Sequence, residues 1–312
     1  MTVLPRKRKS FFRRLILDFQ RNWILYLMVL PVVAYFIIFH YRPMAGIQLA
    51  FKKYRVKLGI WGSPWIGFDN FERFFSSYQF GSLIKNTLTL SVYSLVVGFP
   101  IPILFALLLN QLNNLRLKKT VQMVSYAPHF ISTVVICGML RVFTNPGTGV
   151  FNIIGGMLGF GDTDFLGKPE LFKHLYVWSG VWQQLGWNSI IYVSALAGVD
   201  PQMHEAAIMD GASKWQRIIH IDLPSIRPTI AMLLILRFGS MMNVGFEKVW
   251  LLQNSLNYSA ASTISTFVYE VGMLKTDYGF STAVGLFNTV INVILLTSAN
   301  YLSKKMTEES LF

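Results

Sequence analysis

Residues able to carry a reaction are sparse in this sequence and wrongly spaced for one. His204-Glu205-Ala206-Ala207-Ile208 begins like the two-histidine helix of a zinc protease, but position 208 is Ile, so the second ligand is missing. Gly167-Lys168 is followed by Pro169, and the glycine that a phosphate-cradling loop needs earlier is replaced by Asp162. Gly155, Gly156, Gly159 and Gly161 follow no strand and read as turn residues, with Asp162, Asp164 and Glu170 as solvated neighbours. One cysteine, Cys137, leaves neither a disulfide framework nor a multi-cysteine metal site. With no nucleophile–base pair in view, no catalytic residue, metal or bound cofactor is expected. The chemistry on offer is non-covalent. Trp182, Gln183, Gln184, Trp187 and Asn188, preceded by Trp178, combine flat apolar rings with amides; Arg237, Ser240 and Asn243 add a charge, a hydroxyl and another amide. Separately, Glu205, Ala206, Ala207, Asp210, Gly211, Ala212, Ile218, Leu223 and Pro224 combine small residues, a turn and apolar positions, which suits a surface that docks into another protein.

Those groups need elements to hold them, and composition says of what kind. The chain has 312 residues, 53% hydrophobic and only 14% charged, with a mean hydropathy of +0.45. So few charges can neither cover a water-facing globule nor solvate a disordered chain, which leaves a protein that crosses a membrane several times. Six segments are long and apolar enough to do so: 23–39, 83–109, 121–143, 175–199, 229–245 and 282–302. They lack the period-two alternation of barrel strands, so each is expected to be a helix that pairs its own backbone. The expected architecture is an all-α integral membrane protein with a leader at 1–22, a six-helix membrane domain at 23–302 and a tail at 303–312.

The formal charge of +13 follows the same plan. Arg6, Lys7, Arg8, Lys9, Arg13, Arg14 and Arg21 precede the first segment, and Arg116, Lys118 and Lys119 precede the third. Lys214, Arg217 and Arg227 lie between the fourth and fifth, and Lys304 and Lys305 follow the sixth. Positive charge marks cytoplasmic flanks, which puts both termini inside and the basic leader against anionic lipid. The loop 41–80 runs against the rule, holding Arg42, Lys52, Lys53, Arg55, Lys57 and Arg73 on the expected outside, where Trp61, Trp65 and Phe71 read as interface anchors. Phe11, Phe12, Leu15 and Phe19 share a helical face, expected to lie on the membrane surface, while residues 1–9 fit a disordered basic tail equally well. No small-residue cleavage site follows the first segment, so it is not a signal peptide. A basic face on a soluble module is absent, and nucleic acid is excluded as a partner.

Several segments are poor inert anchors. The second contains Gly98, Pro100 and Pro102, and the third Pro128 beside His129; proline removes a donor and frees carbonyls for other partners. The fourth holds the tryptophan and amide group, and the fifth carries Arg237 mid-span, a placement that calls for a wet cavity or a partner. Polarity concentrated in these two points to a pathway. Between them, 201–228 reads as a helix–turn–helix: a short helix from Pro201 to Met209, a turn at Gly211, a second helix capped by Ser213 that holds Trp215, Ile218 and Ile219, and Pro224 as its stop.

The pattern EAAxxDGAxxxxxIxxIxLPxxxP, from Glu205 to Pro228, resembles the EAA loop of type I ATP-binding-cassette importer permeases, particularly the binding-protein-dependent sugar permeases. Ile66-Gly67-Phe68-Asp69-Asn70-Phe71 is similar to their first outer loop, and the resemblance covers essentially the whole chain. Pro43-Met44-Ala45-Gly46, Ser63-Pro64-Trp65 and Gly245-Phe246-Glu247-Lys248-Val249 resemble a subgroup that handles oligosaccharides from polysaccharide or glycan breakdown.

The resemblance implies the type I permease fold in a bacterial cell membrane, with 205–223 as a coupling helix seated in a cleft of a separate ATPase subunit. Glu205 would pair with a basic residue there, and Gly211 would hold the turn. Two ATPase subunits would use ATP and Mg, so this chain is expected to be a non-enzymatic transport subunit. A second homologous permease would complete it, and an extracytoplasmic solute-binding protein would deliver an oligosaccharide. ATPase closure would then drive alternating access. The implied sugar contacts fall near Gln183, Gln184 and Trp187 and near Arg237, Ser240 and Asn243, with Trp182 and Asn188 alongside. Arg237 has two readings, a contact with a carboxylated sugar and a pairing with a polar group of the partner subunit. The tryptophans divide between sugar stacking and interface anchoring. An ATP-independent carrier or channel explains the polar spans but leaves the loop without a purpose and shows no inverted repeat. A permease for another small solute would share the loop and differ in its ligand groups.

Overall fold

Breaks in helices, more than the helices themselves, shape this bundle. The computed structural model describes residues 11–159 and 161–307. Arg6, Lys7, Arg8, Lys9 and residues 308–312 lie outside the described residues, as do the side chains of Phe11, Phe12, Leu15 and Lys305, so the expected amphipathic face of the leader falls outside them too. Among the described residues the one extended pairing is an antiparallel bridge between Lys52 and Trp65.

The first segment is longer than the apolar run suggested. α1 (Phe11–Phe36) continues through a π turn (Ile37–Tyr41) and 3₁₀ turns as far as Phe51. It kinks at Asn22 (φ −120°, ψ 23°), where Asn22 Nδ2 and Tyr26 Oη donate to the Asp18 carboxylate at 2.8 and 2.6 Å. Its most apolar stretch is wholly unburied by the rest of the chain. A short helix, α2 (Asp69–Phe75), follows in the connecting segment and is tied down by Arg73 Nη1 donating to Asp277 Oδ2 at 2.7 Å.

The second segment is α3 (Phe80–Gly98) and α4 (Pro100–Asn110), one apolar stretch of 31 residues. Pro100 is accommodated as the opening residue of α4, where its missing N–H would be unpaired in any case. The third segment differs from the straight span expected over 121–143. α5 (Leu115–Tyr126) runs into a 3₁₀ turn (Ala127–Phe130), and α6 (Thr133–Phe143) leaves at 97°. Pro128 cannot donate to the helix ladder, Ile131 and Ser132 become extended, and Ser132 Oγ restarts the helix by accepting from Val135 N–H. After α7 (Val150–Met157) comes α8 (Pro169–Leu196), whose 28 residues give a rise of about 42 Å.

The fifth segment also departs from expectation. α9 (Pro201–Met209) and α10 (Lys214–Arg217) form the helix–turn–helix, and helical structure continues through a π turn (Ile218–Asp222) and Leu223–Ser225. Pro224 therefore does not stop this helix: it opens the last turn, while the Leu223 N–H bonds back to the Ile218 carbonyl in the π register. The stop falls at Ile226, where the chain bends by 60° into α11 (Arg227–Gly239). With 13 residues α11 rises only about 20 Å, so it does not run on to Gly245 as read from the sequence. Arg237 consequently lies in the last turn of α11, near carbonyls that favour a cation. α12 (Phe246–Leu252), α13 (Ile264–Tyr269) and α14 (Tyr278–Thr307) complete the order.

Asp18–Phe51, Phe80–Asn110 and Tyr278–Tyr301 are each long and apolar enough to cross a membrane, and two bent pairs, Leu115–Phe130 with Thr133–Phe143 and Lys214–Ser225 with Arg227–Gly239, qualify when joined. α8 is long enough with its 28 residues but is not among these five, its amides and serines lowering its hydropathy. It packs against α3, α4 and α5. Inside lipid such contacts rest on close packing and not on water exclusion, so small residues count. At Gly186 a Cβ would fall on the Ser125 carbonyl and the Tyr126 ring. Gly186→Ala should therefore lower thermal stability by about 1–3 kcal/mol, the cost of forcing atoms into a packed contact. Gly138→Ala, with nothing within 4 Å of the added carbon, should not; melting curves in detergent compare the two.

Candidate functional site

α3 and α4, α8, and the chain from Arg237 to Lys248 surround a cavity of about 490 Å³. Its polar wall comprises Ser91, Ser94, Gln183, Gln184, Asn188, Arg237, Ser240, Asn243, Glu247 and Lys248. The structure thus brings Gln183, Gln184, Asn188, Arg237, Ser240 and Asn243 together, from segments distant in sequence. It does not bring Trp182 and Trp187 there. Trp182 stands two residues from Gln184, about 200° round the helix, and lines a second, apolar cavity of about 530 Å³ with Trp178, Phe143, Phe151 and Phe165. Trp187 stacks face to face on His129 at 4.1 Å between ring centroids. The aromatic surface of the polar cavity comes instead from Phe99, Tyr176 and Phe246.

Some of these groups are committed to the backbone. Gln183 is buried, and its Nε2 donates at 3.1 Å to the Ile131 carbonyl, which the break between α5 and α6 leaves without a helical partner. Gln184 Oε1 meets His129 Nδ1 at 2.9 Å beside the same break. Beyond α11, the Met242 N–H donates to Asn292 Oδ1 at 2.9 Å, while the Asn288 and Asn292 amides donate to Asn243 Oδ1 at 3.0 and 3.1 Å. Asn243 thereby has its oxygen engaged by α14 and its amide nitrogen left over. Ser240 Oγ turns back to the Arg237 carbonyl at 3.3 Å.

Other groups have no such commitment. Arg237 is exposed and forms no hydrogen bond or ion pair with a described residue. The Ser91 hydroxyl is buried in the wall with no hydrogen-bond partner among the described residues. Lys248, like Ser91, Ser94 and Glu247, is a site residue that the sequence reading did not place in the pathway. Its Nζ donates to the Tyr176 carbonyl at 3.0 Å and lies 5.1 Å from the Tyr176 ring centre. Gly180 makes room for it, since a Cβ there would come within 3.3 Å of Nζ. Its signals were its place in Gly245-Phe246-Glu247-Lys248-Val249 and its position immediately ahead of an apolar run. Hydroxyls, amides, two cations and one carboxylate round a concave space can hold a polar ligand by its rim. Among the described residues no group of three or more His, Cys, Asp or Glu could hold a metal.

The second feature is the helix–turn–helix. Asp200 Oδ1 caps α9 by accepting from the Gln202 N–H at 2.9 Å, with Pro201 as its first residue. Gly211 (φ 78°) ends it in the left-handed conformation that favours glycine: its N–H bonds to the Ile208 carbonyl and the Ala212 N–H to that of Ala207 at 2.8 Å. Ser213 and Gln216 then cap α10 reciprocally. Glu205, Ala206, Asp210, Gly211, Leu223 and Pro224 are exposed, Ala207 and Ala212 half-buried, and Ile218 buried. The tip also presents Met209, 86% exposed, and Trp215, 66% exposed. Ile218 and Ile226 anchor the other side, packed with Ile103, Leu107, Tyr192 and Leu196.

Fold and site together define a polytopic helical membrane protein built round a polar cavity, with a rigid helical tip at one end. The chain belongs to the family of binding-protein-dependent transport system inner membrane components, whose pattern matches residues 88–308. It is 44% identical over 293 residues to Protein LplB of Bacillus subtilis, covering 94% of this chain and 92% of the relative. It is 41% identical over 310 residues to the polygalacturonan/rhamnogalacturonan transport system permease protein YteP of the same organism, covering 99% and 96%. Among solved structures, a chain of a bacterial ABC transporter involved in import of the acidic polysaccharide alginate superposes with a TM-score of 0.88 at 43% identity, covering 94% of this chain and 99% of that one. The same transporter type has been seen with a periplasmic protein bound to alginate pentasaccharide, again at a TM-score of 0.88.

The division of labour in the wall is testable. Gln183→Leu should leave the Ile131 carbonyl unpaired and cost about 1–3 kcal/mol of stability. Asn188→Ala, whose side chain has no hydrogen bond to a described residue, should leave the melting temperature of the purified subunit unchanged.

Proposed function

We propose that this chain is the permease subunit of an ATP-driven oligosaccharide importer, that it is itself non-catalytic, and that its cargo is acidic. The tip of the helix–turn–helix carries the coupling reading: the exposed Ala206, Met209 and Trp215 form an apolar knob beside Glu205 and Asp210, fit for a cleft on a soluble partner. Two ATPase subunits supply the hydrolysis, using ATP and Mg. A second homologous permease faces this one across the pathway, and an extracytoplasmic binding protein delivers the sugar. Closure of the ATPases moves the tips and alternates the cavity between inward and outward access. Both termini lie in the cytoplasm. In support, one relative is named as a polygalacturonan/rhamnogalacturonan transport system permease protein, and one superposing chain belongs to a transporter involved in the import of the acidic polysaccharide alginate.

Arg237 supports the acidic cargo. Its guanidinium stands in the cavity with no internal partner among the described residues, and a planar fork of donors matches a sugar carboxylate in bidentate geometry. Gln184, Asn188, Ser240 and the amide nitrogen of Asn243 serve hydroxyl groups along the same wall.

A tagged chain purified from its native membrane should bring with it a soluble ATPase and a second multi-span subunit. Glu205→Lys should still insert but lose the ATPase or its stimulation by the binding protein. Purification of the wild-type chain alone, with no ATPase activity in the sample, would sink the importer reading. In proteoliposomes of the full complex, Arg237→Gln should reduce uptake of a uronate trisaccharide about tenfold or more, the loss of a charge-assisted hydrogen bond, and equal uptake by the variant would rule out the carboxylate contact.

A further inference from the structure

Beneath the exposed tip lies a carboxylate that docking alone does not require. Asp222 is completely buried. Its Oδ1 is 3.2 Å from His204 Nε2 and 3.4 Å from Asn110 Nδ2, and its Oδ2 accepts from Gln111 Nε2 at 2.8 Å. Arg217 is close enough to act on it electrostatically. A carboxylate out of water is retained only when its lone pairs are met, and here the donors come from different elements. His204 precedes Glu205 on α9, Asn110 and Gln111 end the second segment, and Asp222 closes the π turn that leads into α11. The apolar packing of Leu107, Leu196, Ile218 and Ile226 seals the region, and hydrogen bonds gain strength where water is excluded.

α4 and α11 are also walls of the cavity, through Pro102 and Arg237. We propose that Asp222 is the positioning residue that makes α9, the end of α4 and the root of α11 move as one body, so that a push on the tip reaches both walls. This rests on the coupling role proposed above. Without the joint, the bond from His204 of α9 to Asp222 would be lost, and displacement of α9 would be taken up by the loop.

Two nitroxides report the joint directly, on Gln202→Cys in α9 and Leu104→Cys on the exposed face of α4, in a Cys137→Ser background and in the purified complex with its ATPase subunits. The probe is a non-hydrolysable ATP analogue with Mg. The expected wild-type result is one narrow distance, the same with and without nucleotide. Asp222→Ala should broaden it about twofold when nucleotide is added, as for an element released to local motion. Asp222→Asn keeps an acceptor for Gln111 and, through the other tautomer of His204, a bond to that ring, and should retain the narrow distance. Where Asp222→Ala does not assemble, Gln111→Ala and His204→Ala each cut one arm and are read in the same way. A distance that stays narrow in the variants, or already shifts with nucleotide in the wild type, overturns the joint and leaves the importer reading standing. A wild-type complex that captures no ATPase overturns both.

Discussion

In hydrocarbon an unpaired peptide group costs several kcal/mol, and this single constraint organises the chain. Around the cavity, breaks in the helices are met by side chains of neighbouring elements. The Ile131 carbonyl, freed at the right-angle bend, is met by Gln183 of α8. The Met242 N–H, freed beyond α11, is met by Asn292 of α14. The Gly245 N–H is met by the Tyr176 hydroxyl at 3.1 Å. The polarity of α8 and α14 is thus partly a requirement of the breaks, and the breaks in turn open the space that becomes the cavity.

The two functional regions use polar groups in opposite ways. In the cavity wall, groups with spare capacity sit among groups already spoken for, so that the ligand-facing set is smaller than the polar set. At the helix–turn–helix the tip presents bare apolar side chains beside charges, while its foot holds a polar group sealed under apolar packing. A surface that must enter another protein is best left apolar and rigid, and the caps at Asp200, Gly211 and Ser213 supply the rigidity from local sequence.

That locality decides what could be read in advance. The helix from Pro201 to Met209, the turn at Gly211 and the cap at Ser213 were legible because each depends on residues within a few positions of itself. The bend in the third segment was not, because Pro128 weakens the ladder but Gln183, remote in sequence, makes the bent form affordable. Arg237 read as mid-span because the apolar run continues to Val244; its true place at a helix end depends on asparagines of α14. Trp182 was misplaced although helical geometry alone sets it on the face opposite Gln184. Trp187 lies nearer the cavity face, and only the stack on His129 draws it away. Lys248 and Asp222 gave no more than a charge embedded in apolar sequence, which says that a partner exists without saying which.

The bareness of α1 has a consequence for how the protein is made. A chain emerges from the ribosome N-terminus first, and a helix whose most apolar stretch is not buried by the rest of the chain has little need of it in order to insert. α1 is therefore suited to enter the bilayer before the rest of the chain has folded. α8 is the reverse case: its amides and serines make it a poor membrane segment on its own, and it gains from the helices against which it packs.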